Sequence, residues 1–99
     1  MAKVVLRQAA IDDLNEIWEY SVAEWSEKQA DNYYASLKFA CMQIEKNPEL
    51  GKEYEQIKSN LYGLRSGKHI IFYQILNKQE IEIIRILHER MNIQNRLNG

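Results

Sequence analysis

The feature that most narrows the fold lies at Ser26, where two stretches of helical period meet with only a residue or two between them. Upstream, Ile11, Leu14, Trp18, Val22 and Trp25 recur every three or four residues, which places them on one helix face. Asp12, Asp13, Glu16, Glu19 and Glu24 supply much of the polar remainder, and early acids suit the positive end of a helix dipole. Downstream, Ser26-Glu27-Lys28-Gln29 has the form of a capping box, a Ser cap with Gln three residues on. Ala30, Tyr33, Leu37, Ala40, Cys41 and Ile44 then make a second apolar stripe. Asn47-Pro48 ends it, because the residue before proline is pushed out of the helical region. So short a link forces an antiparallel helical hairpin. Trp18 is expected in its core, and Trp25 nearer the exposed tip.

The hairpin is flanked by segments of a different period. Val4, Val5 and Leu6 are β-formers and read as a short first strand. Residues 49–59 are polar and read as a loop. Leu61 to Arg65 is then a candidate strand, Ser66-Gly67 a tight turn, and Lys68 to Leu76 a strand rich in Ile, Phe and Tyr. Asn77-Lys78-Gln79 turns the chain again into Glu80 to Leu87. Ile81, Ile83, Ile84 and Ile86 in that run suit a strand buried on both faces. The tail from His88 to Gly99 is polar and is read as a short helix or a mobile end. The expected fold is α+β: strand-helix-helix-strand-strand-strand, an antiparallel sheet packed against an N-terminal helical hairpin. The pattern leaves the partner of the first strand open.

At 99 residues, without repeats, linkers or low-complexity tracts, the chain reads as a single domain over 1–99. No apolar run is long enough to span a bilayer, and the N-terminus lacks the pattern of a signal peptide. The lone Cys41 excludes an internal disulfide, and a reducing, cytoplasmic setting is the natural reading. Residues 1–50 carry five Lys/Arg and nine Asp/Glu; residues 51–99 carry eight and five. An acidic first half and a basic second half imply opposite fields on different surfaces.

Chemistry-bearing groups gather on the last two strands and their ends: Arg65, Lys68, His69, Tyr73, Arg85, His88, Glu89 and Arg90. Two His residues and one Cys make a poor ligand set, so no metal is expected. No glycine-rich phosphate loop is present, and no cofactor is expected. His88-Glu89-Arg90 offers acid–base groups beside a cation, or simply a strand running out into water.

Taken in order, these segments become recognisable. Leu64-Arg65-Ser66-Gly67, then Ile71-Phe72-Tyr73-Gln74-Ile75, then Ile83 through Met91 with its His88-Glu89-Arg90-Met91 end, resemble the C-terminal half of the RelE/ParE toxin superfamily. Asp13-Leu14, the Ile17 to Tyr20 stretch and Asn47-Pro48 before Gly51 are similar to its N-terminal half. The likeness spans nearly the whole chain. Ala9 and Ala10 stand where the family often has a proline.

The resemblance implies one of two activities. RelE-like members cleave messenger RNA on the ribosome, without metal, using basic side chains and a tyrosine in the tail. ParE-like members poison DNA gyrase by binding it. Anchored on Leu64-Arg65-Ser66, the RelE pattern wants lysines at Leu61 and Gly63, an arginine at Ile70 and a tyrosine near Arg96. Only Arg90 matches, and Leu, Gly and Ile can supply no acid, base or phosphate cation. The ParE-type branch is therefore the one implied. It brings a ParD-like antitoxin as cognate partner, with a toxin dimer or a heterotetramer with antitoxin, and no sequence-specific nucleic-acid binding. Trp25, Tyr33, Tyr34, Arg65, Lys68 and Arg85 are the candidate antitoxin contacts; His88, Glu89, Arg90 and Met91 are the candidate gyrase contacts. The alternatives are a rearranged ribonuclease site of His88, Arg90 and Arg65, or a degenerate toxin kept for antitoxin binding.

Overall fold

A computed structural model describes residues 3–91 and 93–98. Expectations that fall on Met1, Ala2, Asn92 and Gly99 lie outside the described residues. The elements are β1 (Lys3–Leu6), α1 (Gln8–Glu24), α2 (Glu27–Lys46), β2 (Lys52–Glu53), β3 (Leu61–Ser66), β4 (His69–Asn77), β5 (Glu80–His88) and α3 (Ile93–Asn98). The five strands form one sheet in the order β1-β5-β4-β3-β2. The β3–β4–β5 meander is antiparallel as expected. The open question of β1 is resolved at the sheet edge, where it runs parallel to β5 from Lys3↔Glu80 to Leu6↔Ile83. A parallel neighbour needs a crossover, and the helical hairpin provides it. The segment read as a loop over 49–59 contributes β2, whose Lys52 and Glu53 pair with Gly63 and Tyr62.

The hairpin forms where the capping box places it. Ser26 Oγ accepts the Gln29 backbone N–H at 3.1 Å, satisfying one of the donors that a helix start leaves open. Of the expected α2 stripe, Ala30, Leu37, Ala40 and Ile44 are buried. The α1 stripe is corrected. Its buried residues are Ala10, Asp13, Leu14 and Ser21, while Ile11 and Trp25 are exposed and Trp18 is only half-buried. The helix is rotated from its hydrophobic optimum because Asp13 is drawn onto the sheet. Asp13 does not serve as a dipole-stabilising surface acid.

Two cores flank the sheet. Under the hairpin, Leu14, Leu37, Ile44, Ile71, Tyr73, Ile81, Ile83 and Ile86 pack together. On the other face, Leu61, Phe72, Ile84 and Leu87 are covered by Tyr54, Ile57 and Ile70, and by Ile93 and Leu97 of α3. The continuous Ile run of β5 is thus used on both faces, as its composition implied. The strand carries an irregularity: Phe72 pairs with Arg85 and Tyr73 with Ile83, leaving Ile84 as the extra residue. A bulge of this kind re-aims its neighbours.

Beyond Leu6 no strand among the described residues lies beside the edge of β5, and Asp13 takes over. Its Oδ2 accepts the Ile86 backbone N–H at 2.9 Å and the Arg85 Nε–H at 2.8 Å, while Oδ1 accepts from Arg85 Nη2 at 2.9 Å. The carboxylate bond holds the Arg85 pKa above its ordinary value. Arg85 is therefore a buttress between α1 and β5. Its guanidinium is forked onto a buried carboxylate, so the residue expected among the antitoxin contacts is engaged within the fold.

Candidate functional site

The site is built at the end of the sheet where the β3–β4 turn meets the last residue of β5. Ser66 pairs with His69, so the turn is Gly67-Lys68, one residue later than the sequence suggests. Gly67 has φ +61° at the first central position, where a type II′ turn needs glycine. The absent side chain also makes room for α2: a Cβ there would lie 2.6 Å from the Tyr33 ring.

Tyr33 fills that space. Its hydroxyl lies 2.7 Å from His69 Nδ1, accepts the Lys68 backbone N–H at 3.0 Å, and has the Ser66 carbonyl as a second acceptor at 3.3 Å. Burial raises the phenol's pKa, so it stays protonated and available to donate. His69 and His88 are directly paired across β4 and β5, with ring centroids 5.2 Å apart and nearly perpendicular planes. Burial, and then the field of His88, push the His69 pKa down to about 4. At neutral pH His69 is uncharged, and its Nδ1 accepts from Tyr33. His88 Nδ1 accepts the Arg90 backbone N–H at 3.1 Å.

The cations lie around this pair of rings. Arg65 Nη2 bonds to both carboxylate oxygens of Glu89, at 2.7 Å to Oε1. The Glu89 N–H donates to the Lys68 carbonyl at 2.9 Å, which ties the chain leaving β5 to the turn. Lys68, Arg90 and Met91 are exposed. The fold therefore brings Tyr33, Arg65, Lys68, His88, Glu89, Arg90 and Met91 to one end. Three expected residues lie elsewhere. Trp25 is at the hairpin tip with 62% of its surface exposed. Tyr34 faces α1 rather than the turn, and Arg85 is spent on Asp13. His69 belongs to the cluster although the sequence reading assigned it no role.

The low His69 pKa carries a stability consequence. The unfolded chain binds a proton near pH 6.5 that the folded chain refuses until about pH 4. Neutral His69 therefore supports the fold fully above about pH 6.5, and that support is lost as pH falls toward 4. The expected result is a melting temperature that falls by several degrees more in the wild type than in His69→Gln between neutral pH and about pH 4.5. Parallel pH profiles for the two proteins would show that His69 does not contribute.

A second surface lies along α2. Ala35, Ser36, Phe39, Ala40 and Gln43 face Leu50, Leu64 and Ser66 across a groove of about 590 Å³. Phe39, Met42 and Leu50 are large apolar residues left exposed there or beside it. Among the described residues no strand pairs with the outer edge of β3 from Leu64 to Ser66, since the β2 pairing ends at Gly63. An open edge beside an apolar groove is a ready template for an added strand. Cys41, half-buried on the same helix, has its thiol pushed up to about 11 by burial, which makes it inert. Among the described residues no cluster of three or more His, Cys, Asp or Glu is arranged for a metal ion. No described helix is long and apolar enough to cross a membrane.

The chain is similar to known proteins in sequence and in fold. Residues 4–93 match the family model of the ParE toxin of the type II toxin–antitoxin system parDE. The chain is 30% identical over 96 residues to Toxin ParE1 of Mycobacterium tuberculosis, covering 97% of this chain and 98% of that one. It is 34% identical over 87 residues to Toxin ParE1 of Caulobacter vibrioides, covering 88% of each. In fold it is similar to a chain of the chromosomal ParDE system from P. aeruginosa, with TM-score 0.77, 16% identity, and 89% and 96% of the two chains covered. It is also similar to a chain of the toxin–antitoxin complex RelBE2 from Mycobacterium tuberculosis, with TM-score 0.63, 20% identity, and 88% and 96% covered. The chain belongs to the ParE toxin family of type II toxin–antitoxin systems.

Proposed function

We propose that the chain is a single toxin domain that inhibits DNA gyrase by binding, without catalysis, and is neutralised by a cognate ParD-like antitoxin. The observation that carries this reading is the fate of the three positions where an RNA-cleaving relative would carry cations. Leu61 is fully buried in the second core, and Ile70 packs against that core. Gly63 is buried with Tyr54 so close that a Cβ would lie 2.7 Å from its ring. A lysine could not be seated at Gly63 without displacing Tyr54 from Phe72, with which it makes an edge-to-face contact at 5.2 Å. These positions are committed to packing, and Arg65 is neutralised by Glu89. Too little remains to stabilise a phosphorane.

His88, Glu89, Arg90 and Met91 are the proposed gyrase contacts, because they end β5 at an exposed corner braced by His69 and Tyr33. The antitoxin is proposed to lie along the α2 groove, with Phe39, Leu50 and Leu64 as its apolar floor. Arg65 and Lys68 at its end and Trp25 at the hairpin tip are further proposed contacts, with Tyr33 against the Gly67-Lys68 turn and Tyr34 on the far side of α2. A disordered antitoxin tail that folds on this surface would hide its apolar area. The toxin-antitoxin complexes among the fold's neighbours support such a partner. A toxin dimer, or a heterotetramer of toxin with antitoxin, is the proposed assembly.

Supercoiling by purified gyrase with increasing amounts of this protein, with a trap for cleaved DNA complexes, tests the target. Inhibition with trapped cleavage is expected. No effect at stoichiometric excess, together with cut messenger RNA in a ribosome assay, would replace this reading by the ribonuclease one.

A further inference from the structure

The solvent face of the helical hairpin holds a feature that neither the sheet end nor the α2 groove uses. Asn15, Trp18 and Glu19 of α1 face Asp31 and Tyr34 of α2 across a cavity of about 390 Å³. Its walls combine two aromatic rings with two carboxylates. The Trp18 indole N–H donates to Asp31 Oδ1 at 3.0 Å, which fixes ring and carboxylate relative to each other and leaves Oδ2 free to accept. The Glu19 carboxylate is exposed and has no hydrogen bond or ion pair among the described residues. Lys38 Nζ lies 5.9 Å from the centroid of the Tyr34 ring. That ring thus already holds a cation, from a residue outside the cavity lining.

Rings and carboxylates converging on one cavity suit a cation that is also flat. An ammonium gains from the ring face, but a guanidinium can stack on an aromatic plane and fork onto carboxylate oxygens at once. The surrounding field agrees. Asp12, Glu16, Glu24 and Glu27 are exposed on the same two helices, which carry most of the acids behind the −4 balance of residues 1–50. A basic segment would be steered here and an acidic one repelled.

The geometry points to an arginine cleft: Trp18 and Tyr34 stack a guanidinium from a basic segment of a protein partner, while Asp31 Oδ2 and Glu19 accept its N–H groups. The cleft is a docking surface separate from the proposed gyrase contacts, and the inference does not depend on gyrase being the target.

The protein has two indole N–H groups, at Trp18 and Trp25, so NMR of the isotope-labelled chain reads the cleft directly. A blocked tripeptide with arginine between two glycines is titrated in, and its uncharged citrulline counterpart serves as the control. The Trp18 indole resonance should shift and saturate in the millimolar range with the arginine peptide. It should barely move with citrulline, and Trp25 should stay in place in both titrations. Glu19→Gln with Asp31→Asn should weaken binding about tenfold, with amide spectra confirming an intact fold. An equal response to citrulline, a matching shift at Trp25, or no saturable shift at all would overturn the assignment.

Discussion

Asp13→Ala is expected to be the most destabilising substitution of a charged residue in this protein. The side chain is 9% exposed and accepts three hydrogen bonds, two from Arg85 and one from the Ile86 amide. Removing it strands a half-buried guanidinium and an edge N–H at the same moment. Breaking one side of such a pair costs more than the pair is worth, because the remaining charge keeps its desolvation penalty. An expected loss of about 2–4 kcal/mol follows. Against a typical total of about 5–15 kcal/mol, that would lower the melting temperature by roughly 10–25 °C. Urea unfolding of Asp13→Ala, Arg85→Met and the double variant checks the cause. If the ion pair and the edge bond are what matter, the double variant loses clearly less than the sum of the singles. Hydrogen exchange at the Ile86 amide should quicken in Asp13→Ala beyond what the global loss explains. Additive losses with normal protection at Ile86 would mean that Asp13 acts only through helix packing.

Asp13 also marks where the sequence stops being readable. Its position among Asp12, Glu16 and Glu19 looks like an ordinary polar face, and nothing local says that one of these acids turns inward. The reason is tertiary: β1 is only four residues long, so β5 outruns its neighbour and needs another acceptor. The rotation this imposes on α1 exposes Ile11 and leaves Trp18 half in water, against a periodicity that put both inside. The elements whose signals are local were legible. Ser26 and Gln29 cap α2, Asn47-Pro48 ends it, and the two-faced burial of β5 follows from its Ile content. The sheet-end cluster was half legible. Arg65, His88, Glu89 and Arg90 were singled out, but His69 was given no role. The signal was present, since His69 and His88 lie equally far along the chain from the Asn77–Glu80 pair that closes the second hairpin. The two irregularities between β4 and β5 cancel, so simple counting from that turn would have paired them. Tyr33 could not be joined to them that way, because helix-to-sheet contacts have no register to count.

The second large effect follows from the proposed function, in which the groove binds antitoxin and the sheet end binds gyrase. Phe39 is 59% exposed and Leu50 44% exposed on the walls of the α2 groove, so charging them should cost the folded chain little. Phe39→Asp with Leu50→Asp is expected to weaken binding of the cognate antitoxin about a hundredfold or more, the range in which a buried aromatic anchor operates. Gyrase inhibition should be unchanged, since neither residue lies at the sheet end. Cells expressing the variant together with antitoxin would then stop growing, whereas wild type with antitoxin would not. Arg90→Ala should do the reverse, losing gyrase inhibition while still binding antitoxin. Titration calorimetry with purified antitoxin and the supercoiling assay separate the two readouts. The double dissociation is the informative result, because a merely unfolded variant would lose both activities. Retention of tight antitoxin binding by the doubly charged groove would show that the antitoxin docks elsewhere, and attention would move to the hairpin tip at Trp25. If the antitoxin binds through the groove while toxicity resides at the sheet end, neutralisation must act through occlusion or through the strand edge that joins them. Leu64 to Ser66 is that edge: it borders the groove on one side and leads into the Gly67-Lys68 turn on the other. A strand added there would run alongside Arg65, so a carboxylate on it could replace Glu89 and release the corner that Glu89 now ties down.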